Sequence, residues 1–171
     1  GLGDSWPDAS KNLHHYLENT GTPQNVNVDK MINDLPALSA ATDQGVARMA
    51  ERARQESLGA TGPITYPFNT KWQGETASES ANWYYAVGSY DQATEGTITV
   101  YPPTPDHPNG YYTCDYKVHV ADRYNWDGGK STKILGMTIT DERLQRLHQR
   151  GLAQEYDLKG NSSVRSESHD F

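Results

Sequence analysis

The chain has 171 residues, a length that predicts one domain with enough material for a hydrophobic core. Its hydrophobic fraction of 35% and its aromatic content of 4 Trp, 11 Tyr and 2 Phe exclude an intrinsically disordered chain. Lys and Arg number 15 against 22 Asp and Glu, and the net charge of −7 disfavours binding of nucleic acid through its phosphates. No apolar run approaches the roughly 18 residues of a membrane helix. The first residues lack a signal-peptide pattern, so we expect any export signal to lie outside this sequence.

The first third of the chain has the spacing of helices and contains only two aromatic residues, Trp6 and Tyr16. One helix is predicted around Leu13–Leu17, a second over Val28–Leu35 with Pro36 as its stop, and a third from a cap at Thr42 to Gly59. We therefore expect residues 1–61 to form a helical segment that packs on, or leads into, a β-rich domain of residues 62–171.

From Pro63 the apolar period changes to two, which is typical of strands. A helix is predicted from Thr140 or Asp141 to Gly151. The fold class predicted is α+β, and short links between the first four strands indicate an antiparallel arrangement. The candidate strands are Ile64–Trp72, Trp83–Tyr90, Gly96–Tyr101, Tyr111–Ala121, Ile134–Ile139, Ala153–Leu158 and Ser162–Ser166.

The strand that starts at Tyr111 leads into the densest group of reactive residues. The buried face predicted for this strand includes the single cysteine, Cys114, which reads as a small buried hydrophobe. The same parity continues to Asp122, Tyr124 and Trp126. A carboxylate on an apolar face is costly unless it is paired or binds a metal, so Asp122 is a candidate acid, base or cation ligand.

Asn125 and Asp127 add oxygen atoms to this group in a loop with Gly128 and Gly129. Oxygen ligands favour magnesium, or calcium, over zinc, although the spacing does not match a calcium-binding loop. The alternative interpretation is structural. In it, Asp, Asn and Gly form a tight turn while Tyr124 and Trp126 cover the end of the sheet.

Three segments in order resemble the catalytic domain of colicin M-type bacteriocins. They are Tyr66–Trp72, the pair Trp83–Tyr90 and Thr94–Val100, and Asp122–Trp126, where that family has Asp-x-Tyr-Asp-Phe; the likeness spans roughly residues 64–158. The resemblance implies a partly open antiparallel β-barrel or a strongly curved sheet preceded by a small helical segment. It also implies a secreted antibacterial toxin that hydrolyses the undecaprenyl-pyrophosphate linkage of lipid II, with magnesium, at the cell envelope of a target bacterium.

By this resemblance Asp122 and Tyr124 take the places of the family's essential aspartate and tyrosine. Asn125 replaces a second aspartate, and a family His-Arg pair is absent. We expect Asp127 to replace the lost carboxylate and to hold magnesium with Asp122. The phosphate and substrate contacts are assigned to Tyr124, Lys130, Lys133 and Trp126. The nearest imidazole, His119, has the opposite strand parity and is predicted to be structural.

Two other functions remain open at this point. One is a non-catalytic module that binds a lipid or glycan on its aromatic sheet, with Trp83, Tyr84 and Tyr85 as the exposed candidates, although packing is the favoured role for these three. The other is a nuclease toxin with a local basic patch around Arg143, Arg146 and Arg150, which the acidic balance disfavours. A toxin also implies an immunity protein in the producing cell, and contact with the membrane only through the substrate.

Overall fold

The computed structural model describes residues 5–126, 131–134 and 137–171, and its side chains are described outside 131–137. Helices and strands are numbered in chain order. The helices are α1 (Pro7–Leu17), α2 (Val28–Asp34), α3 (Pro36–Glu56), α4 (Ala81–Ala86) and α5 (Asp141–Gln149). The strands are β1 (Gln24–Asn25), β2 (Ile64–Asn69), β3 (Gln73–Thr76), β4 (Ser89–Tyr101), β5 (Tyr111–Tyr124), β6 (Ser131–Ile134), β7 (Met137–Thr140), β8 (Tyr156–Asn161) and β9 (Arg165–Asp170).

The boundaries of α3 differ from those predicted. Pro36 follows the end of α2, as predicted, and also begins α3, because the first helical position needs no backbone N–H and suits the fixed φ of proline. Thr42, the predicted cap, is buried inside α3. The end of α2 at Asp34 is close to the prediction, and its start is capped by Asn27, whose side chain accepts a hydrogen bond from Lys30 N at 3.0 Å.

The strand predicted over Trp83–Tyr90 is wrong in its first half. The side chain of Ser80 accepts a hydrogen bond from Trp83 N at 3.2 Å and caps α4. Gly88, with φ of 63°, follows the helix in the left-handed region that favours glycine, and β4 begins at Ser89. Trp83 is therefore a helical residue, and its side chain is 0% exposed, which confirms the packing role predicted for it.

The main sheet is mixed and open, so the α+β class is confirmed and the wholly antiparallel arrangement is corrected. Its strands follow the order β1-β8-β5-β4-β2, with β3 paired to β4 and β9 paired to β5. β2 pairs antiparallel with β4, and β5 pairs antiparallel with β9. β1 pairs parallel with β8 in the register Gln24↔Leu158. Among the described residues β1 and β2, at the ends of this order, do not pair with each other, so the sheet is not closed into a barrel.

The alternation predicted for β5 is confirmed. Cys114 and Val120 are buried on the face that carries the apolar side chains of this strand, whereas Asp115 and Lys117 are exposed. Burial raises the pKa of the Cys114 thiol to about 11, so the thiol is protonated at neutral pH and is a poor nucleophile. The same face continues to Tyr124, which ends the strand.

The chain forms two compact units, each assembled from three segments. One consists of Gly1–Val26, Gly74–Asp91 and Val120–Gly160, and the other of Asn27–Gln73, Gln92–His119 and Asn161–Phe171. In the first unit α1 packs against α4, and in the second α2 and β2 pack against α3. The predicted boundary between residues 61 and 62 stays a prediction. None of the described helices combines the length and apolar character needed to cross a membrane.

Candidate functional site

Four of the residues predicted as site residues lie together at the end of β5, within the first unit. A cavity of about 310 Å³ has walls formed by the end of β5, by α4 and by the start of α5. Its lining residues are Tyr84, Tyr85, Ala86, Val87, Ser89, Asp122, Arg123, Tyr124, Asn125, Trp126 and Asp141. Asp122 also lines a second cavity of about 350 Å³ beside Glu75 and Asp91. The carboxylate of the motif therefore lies in a concave part of the surface, as its proposed chemistry requires.

Tyr124 is held in place by packing with other aromatic rings. Its ring stacks on Tyr156, with centroids 4.9 Å apart and planes at 14°. Trp126 meets it edge to face at 5.7 Å, and Tyr16 contacts it at 5.5 Å. Such pairs add stabilisation beyond the area that they bury. The side chain of Tyr124 is consequently fixed and only 4% exposed, although it forms part of the cavity wall.

The polar ends of Tyr124 and Trp126 differ from those of their aromatic neighbours. Among the described residues, neither the Tyr124 hydroxyl nor the Trp126 Nε1 has a hydrogen-bond partner, although both atoms are buried. By contrast, the Tyr16 hydroxyl donates to Leu144 O at 2.6 Å and the Tyr156 hydroxyl donates to Asn12 O at 2.6 Å. A buried polar group without a partner costs free energy and calls for an explanation. Binding of a ligand in the cavity would supply one.

Burial keeps the Tyr124 phenol protonated. Removal from water raises the pKa of Tyr124 well above its ordinary value, although the nearby Trp126 N–H acts in the opposite direction. The negative charge of Asp141 adds to the upward shift. At neutral pH the phenol therefore keeps its proton and can act as a hydrogen-bond donor.

Asp141 is the one acidic residue of the cavity wall that the sequence did not indicate as a site residue. It is the first residue of α5 and is 1% exposed, and Thr140 caps the helix by accepting from Arg143 N at 3.4 Å. In the sequence, an acid at this position is fully accounted for as a favourable charge at a helix start. The signal that could have indicated it is the loss of an acid at Asn125, which makes another carboxylate necessary if the chemistry is retained.

Arg123 lies at the cavity with its charge paired. Its Nη1 is 2.9 Å from Asp157 Oδ1, and its Nε is 3.8 Å from Glu155 Oε2. Half of the Arg123 side chain is exposed, so these ion pairs contribute little stability. They orient the guanidinium at the edge of the cavity, where its charge is shared with two carboxylates.

Two aromatic residues of α4 also line the cavity. Tyr84 and Tyr85 are half-buried, and their rings meet edge to face at 5.2 Å. Trp6 stacks on Tyr85 with centroids 5.1 Å apart and planes at 23°. Of the three aromatic residues singled out in the sequence, Trp83 packs in the core, whereas Tyr84 and Tyr85 line the cavity.

For three of the predicted site residues the structure describes no side chain. Asp127 and Lys130 lie outside the described residues, and Lys133 belongs to β6 but its side chain is not described. Within the described residues, no group of three or more His, Cys, Asp or Glu side chains is arranged to hold a metal ion. The described residues therefore do not by themselves fit a metal centre, and the assignment of magnesium to Asp122 and Asp127 stays a prediction.

His119 belongs to the second unit, and its side chain is held on both sides. Its Nε2 lies 2.6 Å from Glu95 Oε1, and its Nδ1 lies 2.5 Å from Asn161 Oδ1. Both ring nitrogens are used in these contacts, so neither is available to a substrate. This arrangement agrees with the structural role predicted for His119.

The chain has no match among protein-family models and none among curated protein sequences. Among solved structures it is similar to PaeM, a colicin M-like bacteriocin produced by Pseudomonas aeruginosa, with 14% identity and a TM-score of 0.50 over 96% of this chain and 51% of that chain. It is also similar to the bacteriocin syringacin M from Pseudomonas syringae pv. tomato DC3000, with 15% identity and a TM-score of 0.47 over 93% of this chain and 51% of that chain. A third similar structure is pectocin M2, with 12% identity and a TM-score of 0.43 over 100% of this chain and 55% of that chain.

The fold of this chain is that of the colicin M-like bacteriocins, as the resemblance in its sequence predicts. That assignment rests on PaeM, and identity at this level establishes the fold alone. The chain spans about half the length of the bacteriocins that it matches.

Proposed function

We propose that this chain is the toxic domain of an antibacterial protein and that it hydrolyses the undecaprenyl-pyrophosphate linkage of lipid II, which blocks peptidoglycan synthesis. The observation that carries the proposal is that Asp122 and Tyr124, the two motif residues retained in this sequence, line one cavity. The colicin M-like fold supports it, and the aromatic residues Tyr84 and Tyr85 that line the same cavity suit an amphiphilic substrate.

The residues of the cavity suit phosphoester hydrolysis. In the proposed step, Asp122 accepts a proton from a water molecule whose oxygen attacks the phosphorus next to the polyprenyl group. A new phosphorus–oxygen bond forms, the bond from that phosphorus to the polyprenyl oxygen breaks, and this oxygen takes up a proton from solvent and leaves as polyprenol. Tyr124 donates a hydrogen bond to a phosphate oxygen, and Arg123 adds positive charge at the edge of the cavity.

We also propose that the domain acts after secretion, at the envelope of a target bacterium, and meets the membrane only through its substrate. The producing cell then needs an immunity protein that inhibits the domain. Magnesium remains part of the proposal as a requirement to be measured. No step above depends on it.

Expression in bacteria with and without an added export signal tests the proposed function. A lipid II hydrolase at the envelope causes lysis only when the chain is exported, and the folded Asp122→Ala variant is harmless in both forms. A nuclease would act on nucleic acid inside the cell, so toxicity of the unexported chain would contradict the proposal. Growth of cells that export the wild-type chain would contradict it as well.

The second candidate function is a non-catalytic module that binds a polyprenyl or glycan ligand. It is favoured by the aromatic wall of Trp6, Tyr84 and Tyr85 together with the replacement of an acid by Asn125. Incubation with purified lipid II separates the two functions, because a binding module retains intact lipid II whereas a hydrolase releases two products.

A further inference from the structure

The candidate site contains a carboxylate that the Asp-x-Tyr motif does not include. Asp141 lines the same cavity as Asp122 and Tyr124, yet it lies 19 positions after Asp122 in the chain and belongs to a different element, α5. The motif itself carries the neutral Asn125 where the resemblance places an acid. The cavity thus has two carboxylates among its described lining residues, with the second one supplied by a helix.

The position of Asp141 explains how a charged side chain is tolerated there. Asp141 is the first residue of a nine-residue helix that Thr140 caps through its contact with Arg143 N. The first turn of a helix carries partial positive charge from its backbone N–H groups, which stabilises an anion. Burial of a carboxylate at this point is therefore less unfavourable than burial elsewhere in the core.

Asp141 is as buried as the other residues of the same cavity wall. Asp141 is 1% exposed, and Tyr124 and Trp126 in the same wall are each 4% exposed. Asp141 and Tyr124 line the same cavity, so the carboxylate and the phenol belong to one site. Trp126 and Tyr124 also present polar atoms that have no partner among the described residues.

We propose that Asp141 is a further catalytic residue of the hydrolase: its carboxylate supplies the second negative charge that Asn125 does not carry. This inference rests on the proposed function. In the step described above, Asp141 accepts a hydrogen bond from the attacking water and holds it in place while Asp122 takes the proton. In this arrangement Asp141 orients the water and Asp122 accepts its proton, so neither carboxylate has to change its role during the step.

The adjacent residue provides a matched control. Glu142 is the other acid in the first turn of α5, but it is exposed and does not line the cavity. Asp141→Asn and Glu142→Gln each remove one negative charge from this turn and change little in volume. A general effect of charge at the helix start would be similar in the two variants, whereas an effect on the reaction is specific to Asp141.

The test measures turnover of purified lipid II by the wild-type chain and the two variants, with thermal unfolding of each. We expect Asp141→Asn to lose about 100-fold or more in turnover, a typical contribution of a positioned acid or base, while Glu142→Gln stays within about twofold of the wild type. Equal loss in both variants, or wild-type turnover in folded Asp141→Asn, would overturn the inference. If Asp141→Asn does not fold, Asp141→Ser is judged by the same criteria, because serine can still accept hydrogen bonds at a helix start but carries no charge.

A second variant tests whether charge is what Asp141 contributes. Adding Asn125→Asp to Asp141→Asn returns a carboxylate to the motif, and we expect at least a tenfold gain over Asp141→Asn alone. No gain would contradict the role given to the charge of Asp141. An inactive wild-type chain would contradict the proposed function, and with it any role of Asp141 in that reaction. Activity in the wild type and in every variant would contradict this inference alone.

Discussion

The rings of Tyr124 and Tyr156 stack with centroids 4.9 Å apart and planes at 14°, but their hydroxyl groups differ in hydrogen bonding. The Tyr156 hydroxyl donates to Asn12 O at 2.6 Å, whereas the Tyr124 hydroxyl is buried without a partner among the described residues. The Tyr156 hydroxyl therefore has a structural role, whereas the Tyr124 hydroxyl belongs to a residue of the cavity wall and forms no hydrogen bond within the described residues. Replacing each tyrosine with phenylalanine therefore separates an effect on activity, expected at Tyr124, from an effect on stability, expected at Tyr156.

Tyr124→Phe removes a hydroxyl that stabilises nothing in the described part of the fold. We expect the free energy of unfolding to stay within about 0.5 kcal/mol of the wild type or to rise slightly, because no hydrogen bond is lost. Turnover of lipid II should fall about tenfold or more, since the donor to the phosphate oxygen is gone. Urea denaturation and product analysis measure the two effects, and a variant with wild-type turnover would contradict the role of the phenol.

Tyr156→Phe should show the opposite result. The Asn12 carbonyl loses its buried partner, and we expect a loss of about 1–2 kcal/mol in the free energy of unfolding. Stacking on Tyr124 is retained because the ring is unchanged, so turnover at a temperature where the variant is folded should remain close to that of the wild type. A variant as stable as the wild type would show that this hydrogen bond contributes nothing.

Gly96→Ala should be strongly destabilising. A Cβ atom at Gly96 would overlap the Asp115 carbonyl oxygen and lie 2.7 Å from Tyr116 Cα and 2.8 Å from Tyr116 Cβ. Since backbone atoms cannot move aside as the end of a flexible side chain can, we expect a loss of about 3 kcal/mol. Gly62→Ala is the control, because nothing lies within 4 Å of a Cβ at that position. Equal unfolding midpoints for the two variants would contradict the close approach of the strands.

Stability should fall in alkaline solution. Burial raises the pKa of Cys114 from its ordinary value of 9.0 to about 11, and burial with the charge of Glu155 raises the pKa of Tyr16 from 10.0 to about 12. Above about pH 9 the unfolded chain therefore loses protons that the folded chain keeps, so the free energy of unfolding decreases as pH rises and levels off above the folded pKa values.

Urea denaturation at pH 8 and at pH 11 measures this decrease. Tyrosinate absorbance at pH 11 should be lower in the folded chain than in the chain unfolded by urea, because burial keeps phenols such as that of Tyr16 protonated. In Cys114→Ala the part of the decrease between pH 9 and pH 11 should be smaller. Stability that is unchanged over this range would show that these groups ionise as easily in the folded protein as in the unfolded chain.

Removal of magnesium with a chelator should abolish turnover of lipid II, and added magnesium should restore it. The prediction rests on the resemblance and on the oxygen-rich sequence from Asp122 to Asp127. Thermal unfolding of the chain in chelator serves as the control for folding. Full turnover in chelator would contradict the magnesium requirement.

The buried face of β5 and the position of Asp122 and Tyr124 were predictable because a period of two continues without interruption from Tyr112 to Trp126. The helix α4 was not predictable, because its sequence Ala81–Ala86 is rich in aromatic residues that favour strands. The cap from Ser80 outweighs that preference. The parallel pairing of β1 with β8 could not be predicted from periodicity, since β1 has only two residues and its partner lies more than 130 positions away.

The cavity was predictable only in part for a similar reason. Asp122 and Tyr124 are neighbours on one strand, and their spacing in the sequence indicates a common face. Asp141, Tyr84 and Tyr85 join them from other elements, so their presence depends on tertiary packing. In addition, an acid at the start of a helix is explained by the helix itself, so the sequence does not indicate that Asp141 belongs to the cavity wall.

Incubation of the purified chain with lipid II, followed by mass analysis of the products beside an Asp122→Ala control, tests the central claim most directly. We expect the wild-type chain to release a pyrophosphorylated headgroup and free polyprenol, and the folded control to leave lipid II intact. Intact lipid II with the wild-type chain in the presence of magnesium would contradict the proposed hydrolysis and leave this domain with the bacteriocin fold but without that chemistry.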